Sequence, residues 1–254
     1  MLRRANTYLI TAGATAALLF LPSLGTADSG GGGIAPKGSQ QAQPGNRTVS
    51  ASAHGMTITT HASGFLRRTL TFTGWAGRHA AGKTVEIDRK AHQTGEKWVL
   101  TTRGRVNSDG SFTARWRSHH SGSFAIRAVL GSAGSRTAGG GASFNAQRDS
   151  SSSWPTVKVI IYKMAIATIF GSGFWGSRTA CGEILHRNTM GVANRTLPCG
   201  TPISIYWHGR TIQVPVIDRG PYANHADWDL TEATARALHI NSTETVGAAA
   251  LPRR

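Results

Sequence analysis

The stretch from Thr179 to Thr231 constrains the fold of this chain more than any other part of the sequence. It holds both cysteines, Cys181 and Cys199, and four of the six acidic residues that follow position 150. Short strand-like runs and turns that contain glycine or proline make up this stretch, and a helical pattern begins only at its end. A small, mainly β domain built around these residues is therefore predicted.

The first 27 residues have the layout of a secretory signal peptide. A basic pair, Arg3 and Arg4, precedes a mostly apolar run of 14 residues from Tyr8 to Leu21, and small residues follow at 25–27. A membrane-spanning helix is the alternative, although a span needs about 20 apolar residues. The sequence predicts a secreted protein, extracellular or associated with the cell wall, without a stable membrane anchor.

Export makes a disulfide between Cys181 and Cys199 the expected state of the two cysteines. They lie 18 positions apart, and closing a loop of that size stabilises a fold by about 3 kcal/mol in the chain-entropy estimate. Two buried free thiols are the alternative. No Cys-x-x-Cys or Cys/His cluster surrounds them, so no metal site is predicted. Residues 171–176 formally match a dinucleotide-binding fingerprint, but no helical pattern follows, so no cofactor is predicted either.

Positive charge is concentrated in the middle of the chain. Of the formal net charge of +16, residues 28–150 contribute 16 basic and 6 acidic side chains, and residues 151–254 contribute 10 and 6. A cationic surface attracts polyanions, and in an exported protein anionic cell-wall polymers are candidate partners. A merely solvated basic face is the alternative. Nucleic acid is not predicted as a partner, because no nucleic-acid-binding motif accompanies the charge.

Composition divides the remainder of the chain into two linkers and two modules. Residues 28–50 and 131–153 are rich in Gly and Ser and are predicted to be linkers, the first of them disordered. Residues 51–130 contain about seven short alternating runs separated by turn signals, which is typical of a small β-sandwich of immunoglobulin-like or fibronectin-like type. Residues 154–254 form the second module.

The second module is predicted to be a small β-barrel with one or two short helices. Strands are predicted at 157–162, 164–170, 202–207 and 211–217, and a hairpin turn at His208-Gly209 joins the last two. One helix is predicted at 232–238, with Asp229 or Thr231 as its N-cap. The chain as a whole is therefore assigned to the all-β class.

Three acidic residues of this module are candidates for catalysis. Glu183 follows Cys181-Gly182, Asp218 ends a strand, and Asp229 precedes the predicted helix. Each has a structural alternative, since a carboxylate can satisfy a turn, cap a helix or remain solvated. Carboxylates that converge in one groove are what acid–base cleavage of a glycosidic bond requires.

These motifs resemble those of the rare lipoprotein A (RlpA) family. The resembling segments are Thr179-Ala180-Cys181-Gly182-Glu183, Thr196-Leu197-Pro198-Cys199-Gly200-Thr201, Val216-Ile217-Asp218-Arg219-Gly220-Pro221-Tyr222 and Asp229-Leu230-Thr231. Their order and spacing agree over roughly residues 163–240. The two cysteines resemble a secreted subgroup of the family that carries cysteine at both positions.

The resemblance implies a six-stranded double-psi β-barrel that acts on peptidoglycan glycan strands. Characterised members are lytic transglycosylases, which cleave between N-acetylmuramic acid and N-acetylglucosamine and leave a 1,6-anhydro end. Asp218 and Asp229, ahead of Glu183, then become the catalytic candidates. Thr179, Asn194, Arg219 and Tyr222 become candidates for substrate binding.

One departure from the family pattern affects the expected activity. The family usually carries His before Thr-Leu-Pro, whereas here Asn194 follows Ala193. Asn can form hydrogen bonds but cannot exchange protons near neutral pH. A protein that binds peptidoglycan or loosens the wall in the manner of expansins, without catalysis, is therefore the alternative function.

Overall fold

The computed structural model describes residues 47–131, except 92–94 and 96, and residues 154–253, except 224. The predicted signal peptide, nearly all of the first linker and residues 132–153 of the second lie outside these ranges. Within the described residues, no helix is both long and apolar enough to span a bilayer.

Eight strands lie in the described part of residues 47–131. They are β1 (Thr48–Ala53), β2 (Met56–His61), β3 (Ser63–Phe65), β4 (Thr69–Trp75), β5 (Thr84–Lys90), β6 (Val99–Arg105), β7 (Ser111–Arg117) and β8 (Gly122–Leu130). Residues 48–50, which composition places in the linker, are therefore part of the first strand. Their side chains alternate between exposed and half-buried along β1, a period-2 pattern that the polar composition hides.

In the described residues from 154 onward there are six strands and one α-helix. They are β9 (Thr156–Phe170), β10 (Val192–Ala193), β11 (Pro202–Trp207), β12 (Arg210–Asp218), β13 (Trp228–Thr231), α1 (Glu232–Leu238) and β14 (Glu244–Ala250). Short 3-10 helices occur at Arg78–Ala80 and Ser172–Phe174. The predicted all-β class is confirmed.

Two sheets pack face to face in the first part of the chain. One has the order β1-β2-β4-β7, and the other has the order β6-β5-β8-β9 with β3 paired to β9. Strand β7 shows the alternation: Phe112, Ala114 and Trp116 are buried, while Arg115 and Arg117 are exposed. Burial of the apolar face of each sheet against the other is the main stabilising contribution of such a sandwich.

The second part of the chain closes into the predicted six-stranded barrel. The strand order is β9-β13-β10-β12-β11-β14, and β14 pairs with β9 to complete the circle. Two neighbouring pairs, β9/β13 and β10/β12, are parallel, and the other four are antiparallel. Its core is made of small and branched side chains, among them Val192, Ile203, Leu230 and Val246.

Strand β9 belongs to both the sandwich and the barrel. The sequence predicts two strands, at 157–162 and 164–170, but the structure has one strand of 15 residues. Its first half pairs with β8 and β3, and its second half pairs with β14 and β13. The prediction is wrong at Lys163, because the backbone pairing runs on through Lys163 and Met164 to Ala248 and Gly247 of β14 although the alternation of burial is interrupted there. The division of the chain into domains at 131–153 stays a prediction.

An aromatic cluster lies where β9 passes from the sandwich to the barrel. The ring of Phe65 lies 6.1 Å from that of Tyr162 and 5.6 Å from that of Tyr206, measured between centroids. The Tyr162 hydroxyl shares a 2.9 Å hydrogen bond with the hydroxyl of Ser204, and both side chains are buried. These contacts join β3 of the sandwich to β11 of the barrel in addition to the continuous backbone of β9.

The structure shows the predicted hairpin turn and decides between the two candidates for the helix cap. His208 and Gly209 both adopt positive φ, 43° and 83°, as the tight hairpin turn between β11 and β12 requires. Thr231, and not Asp229, caps α1, because its hydroxyl accepts the backbone N–H of Thr234 at 3.2 Å. The carboxylate of Asp229 is therefore not used as a helix cap.

Candidate active site

A row of four side chains crosses four neighbouring strands of the barrel. Asp218 at the end of β12 lies opposite Ala193 of β10, Ala193 lies opposite Asp229 of β13, and Asp229 lies opposite Thr168 of β9. Residues directly opposite one another project from the same face of a sheet. The two carboxylates therefore share a face, with Cα atoms about 9–10 Å apart at the usual strand spacing, and only a methyl group lies between them.

A β-bulge brings Asp218 into this row. Val192 pairs with Val216, but the next residue, Ala193, pairs with Asp218, so Ile217 has no partner in β10. In regular register Ile217 would lie opposite Ala193. The extra residue instead leaves Ile217 buried and turns the carboxylate of Asp218 toward Asp229, as bulges next to active sites commonly do.

The row forms part of the wall of an open cleft of about 420 Å³. The residues that line the cleft are Thr168, Ile169, Phe170, Phe174, Ala193, Asp218, Arg219, Gly220, Pro221, Tyr222, Ala223 and Asp229. The rings of Phe170 and Phe174 pack edge to face with centroids 6.4 Å apart. Phe174 is 58% exposed and Tyr222 is 79% exposed. Large exposed apolar groups beside carboxylates are typical of a ligand-binding groove.

The surroundings of Asp229 shift the pKa of its carboxyl group. Its side chain is half-buried, and its Oδ1 accepts a 2.9 Å hydrogen bond from the Thr168 hydroxyl. Burial raises the pKa of Asp229, the Thr168 hydrogen bond opposes this rise, and the neighbouring charge of Asp218 adds to it. Asp229 therefore keeps its proton to a higher pH than an ordinary aspartate, as a general acid must.

Asp218 is held in place by the backbone. Its Oδ1 accepts hydrogen bonds from the N–H groups of Ala180 and Arg219, each at 2.8 Å. Its carbonyl oxygen accepts the N–H of Asn194 at 3.1 Å. The hydrogen bond from Ala180 also attaches the loop that begins there to the end of β12.

The disulfide joins two loops that contact the end of β12, next to Asp218. Cys181 and Cys199 are bonded, with Cα atoms 5.6 Å apart, and no free cysteine remains among the described residues. The N–H of Cys181 donates to the carbonyl of Ile217 at 3.2 Å, and that of Gly200 donates to Val216 at 2.8 Å. The disulfide therefore joins two loops that are both attached to the end of β12.

Three of the sequence candidates, Glu183, Thr179 and Asn194, lie outside the cleft. Glu183 is exposed and does not line the cleft. Thr179 is buried beneath the same loop, where its hydroxyl accepts the N–H of Glu183 at 3.2 Å and its own N–H donates to the Glu183 carbonyl at 2.7 Å. The geometry gives Thr179 a role in shaping this loop.

Asn194 also acts on a loop. Its Oδ1 accepts the N–H groups of Thr196 and Leu197 at 3.1 and 2.9 Å, and its Nδ2 donates to the carbonyl of Asp227 at 3.3 Å. This is an Asx-type turn, in which the side chain replaces a backbone acceptor. Asn194 does not line the cleft, although its neighbour Ala193 does.

Two arginines hold the loops on either side of the cleft. Arg219 lines the cleft, and its Nη1 donates to the carbonyls of Leu197 and Asn194 at 3.0 and 3.3 Å. Arg195 reaches from the 194–197 loop to the loop after β12, where it donates to the carbonyls of Pro221 and Ala226 at 2.6 and 2.8 Å. Tyr222, which follows the cis peptide bond between Gly220 and Pro221, projects from the loop that Arg195 holds.

Sequence reasoning missed Thr168, Phe170, Phe174 and Arg195. Thr168 and Phe170 belong to an alternating strand whose pattern gives no sign of which residues face a ligand. Phe174 stands in a glycine-rich loop, and an aromatic residue in such a loop was the signal that could have identified it. Among the described residues, no group of three or more His, Cys, Asp or Glu side chains is placed to hold a metal ion.

Comparison with known sequences places this cleft in a recognised domain. Residues 163–248 match the family described as "Lytic transglycolase". This range contains all six strands of the barrel in whole or in part, both cysteines and every residue of the row.

Individual relatives match the same part of the chain. A "Probable endolytic peptidoglycan transglycosylase RlpA" from Synechocystis sp. is 40% identical over 90 residues, which is 35% of this chain and 27% of the relative. The "Endolytic peptidoglycan transglycosylase RlpA" of Campylobacter jejuni is 33% identical over 82 residues, 32% of this chain and 30% of the relative. That of Yersinia pestis is 35% identical over 86 residues, 33% of this chain and 24% of the relative. The chain therefore spans less than a third of the length of these curated relatives.

Proposed function

We propose, from the premise that residues 163–248 form an RlpA-like double-psi β-barrel domain, that this protein is a lytic transglycosylase of the cell envelope that cleaves peptidoglycan glycan strands. The single observation that carries the proposal is the half-buried carboxyl of Asp229, with its raised pKa, in the wall of an open cleft. The names of the relatives supply the substrate class.

Asp229 acts as both the acid and the base of the reaction. In its protonated form it donates its proton to the oxygen of the bond between N-acetylmuramic acid and N-acetylglucosamine, and the bond from C1 of the muramic residue to that oxygen breaks. The C6 hydroxyl oxygen of the same residue then bonds to C1, and its proton passes to the Asp229 carboxylate. The products are a free 4-hydroxyl and a 1,6-anhydro end, and no water is consumed.

Asp218 and the aromatic rings have supporting roles in this proposal. Asp218, fixed by two backbone N–H groups, stabilises positive charge that develops at C1. The exposed rings of Phe174 and Tyr222 offer flat apolar surfaces to the sugar rings on either side of the cleaved bond. Glu183 stays outside the reaction because it does not line the cleft.

The test uses the complete chain after residue 27. The isolated residues 154–254 are unsuitable, because the first half of β9 would lose its partners β8 and β3. Purified protein is incubated with peptidoglycan sacculi, and the soluble products are analysed by mass spectrometry. Anhydro-muropeptides are expected from the wild type and not from Asp229→Asn, which keeps the shape of the side chain and removes the acid.

Two outcomes contradict the proposed transglycosylase activity. Pelleting of the protein with sacculi without any anhydro product supports the alternative, a non-catalytic binding or wall-loosening protein, for which the Asn194 departure is the motivating observation. Products with reducing ends show that water is the nucleophile and that the protein is a hydrolase.

A further inference from the structure

Four arginines lie together at one corner of the β-sandwich. Arg67 and Arg68 occupy the turn between β3 and β4, Arg115 and Arg117 project from the outer face of β7, and all four are exposed. Nε of Arg117 donates a 2.7 Å hydrogen bond to the carbonyl of Arg67, which joins the strand to the turn. We refer to these four residues as the arginine corner.

The backbone that presents the arginine corner is well anchored. The N–H of Leu66 donates to Tyr162 at 2.8 Å, that of Arg67 donates to Ser118 at 2.9 Å, and that of Arg68 donates to Phe65 at 3.0 Å. The turn is therefore attached to β9 and to the end of β7. A partner that binds here need order only the arginine side chains, which lowers the entropic cost of binding.

Among the described residues, no ion pair joins a carboxylate to the arginine corner. Between residues 47 and 131 the described carboxylates are Glu86, Asp88 and Asp109. Glu86 pairs with Arg103 and Asp88 pairs with Arg127, and both acids are on β5 in the other sheet. Asp109 lies beyond the opposite end of β7, which is about 20 Å long at the usual rise per residue.

Hydroxyl groups stand beside these cations. Thr69 lies opposite Arg117, and Thr71 lies opposite Arg115, on the neighbouring strand β4. In the described part of the chain neither threonine hydroxyl has a protein hydrogen-bond partner. The surface therefore places guanidinium groups on β7 beside hydroxyl groups on β4.

We propose that the arginine corner binds a phosphodiester-linked polyol polymer of the cell wall. A guanidinium group binds a phosphate through two parallel hydrogen bonds. Arg115 and Arg117 stand two residues apart on one face, about 6.6–6.8 Å, which suits a repeated anion better than a single one. The hydroxyls of Thr69 and Thr71 complement the hydroxyls of a polyol.

The same surface fits a nucleic acid less well. Single-stranded nucleic acid is bound through aromatic rings on which its bases stack. On the described outer face of β4 and β7 the exposed ring is Trp75, which pairs with Ser111 at the far end from Arg117. The choice of a wall polymer rests on the proposed function, because the cleft would place the protein where such polymers occur.

The test measures binding of the full chain to soluble poly(glycerol phosphate) by isothermal titration calorimetry. Arg68→Gln/Arg115→Gln removes two charges whose side chains make no hydrogen bond in the described structure, so folding is expected to be unaffected. The matched control, Arg105→Gln/Lys158→Gln, removes the same charge from exposed positions outside the arginine corner. We expect affinity to fall about tenfold or more in the first variant, and by about twofold or less in the control.

Three results would overturn the proposal: no binding by the wild type, equal weakening in both double variants, or tighter binding to single-stranded DNA of matched charge. Equal weakening would mean that net charge alone attracts the polymer. Anhydro-product formation on sacculi is measured on the same preparations. Because the binding assay contains no peptidoglycan, an inactive chain that binds the polymer leaves this inference intact, and an active chain that does not bind it leaves the proposed function intact.

Discussion

The two sides of the cleft hold one carboxylate each, and their surroundings differ. On one side Asp218 accepts two backbone N–H groups and is tied to the disulfide-linked loops. On the other side Asp229 is half-buried and has one side-chain partner, the Thr168 hydroxyl. The same residue type, in the same row of the sheet, is thus held by backbone N–H groups on one side and partly desolvated, with a raised pKa, on the other.

Replacing Asp229 by Asn is expected to have the largest effect on activity, because it removes the proton-holding side of this pair. Loss of the acid removes a contribution of about 100-fold to 10,000-fold, so anhydro products on sacculi should fall at least about 100-fold. Glu183→Gln is the control and should keep wild-type activity, since Glu183 does not line the cleft. Loss of activity in Glu183→Gln with retention in Asp229→Asn would reverse the assignment.

The same variant has a predicted effect on stability. Because the pKa of Asp229 is raised in the folded state, the folded protein binds this proton more tightly than the unfolded chain does. Stability therefore falls as pH rises from about 4, the ordinary aspartate pKa, through the raised pKa, and the loss persists above it. Thermal unfolding should show Asp229→Asn to be more stable than the wild type at pH 7, and this advantage should disappear near pH 3.

Asp218→Asn removes the charge on the other side of the cleft and keeps the shape of the side chain. An amide oxygen can still accept both backbone N–H groups that now reach Oδ1, so we expect stability to fall by about 1 kcal/mol and activity by about 3-fold to 10-fold. Without the negative charge of Asp218 the pKa of Asp229 should fall. The alkaline limb of the kcat/KM profile should then move to lower pH.

Thr168→Val changes the same limb in the opposite direction. The Thr168 hydrogen bond lowers the pKa of Asp229, so its loss should raise that pKa and move the alkaline limb to higher pH. Activity near neutral pH should change by no more than about 5-fold, because the acid itself remains. Limbs that move the same way in Thr168→Val and Asp218→Asn would contradict the roles given to the two neighbours.

Asn194→His is expected to have the smallest effect on activity. A neutral imidazole has one acceptor nitrogen, and it cannot replace the amide oxygen that accepts two backbone N–H groups. We expect unfolding free energy to fall by about 1–2 kcal/mol and activity on sacculi to stay unchanged. A clear gain in activity would show instead that position 194 contributes to proton transfer.

Local patterns were sufficient for much of the framework. Alternation along β7 and the turn at His208-Gly209 depend on neighbours within a few residues, and the sequence predicts both. For the cap of α1 it offered Asp229 or Thr231, and the structure selects Thr231. The pairing of Cys181 with Cys199 was also predictable, because the chain holds no other cysteine. The motif containing Asp218 and Asp229 identified both carboxylates, although not the hydrogen-bond partners of either.

The arrangement of the cleft was decided by tertiary structure alone. Thr168 and Asp229 are 61 residues apart in sequence, and Ala193 lies between Asp218 and Asp229 only because β10 pairs with both β12 and β13. The bulge at Ile217 and the continuation of β9 from sandwich to barrel likewise depend on partners that are distant in the chain. The sequence by itself indicated β9, β11 and β12 of the barrel and named the candidate acids, but it gave no sign of β10, β13 or β14. The closed pairing of those strands decided which acids meet, because strand register is set by packing between segments and not within them.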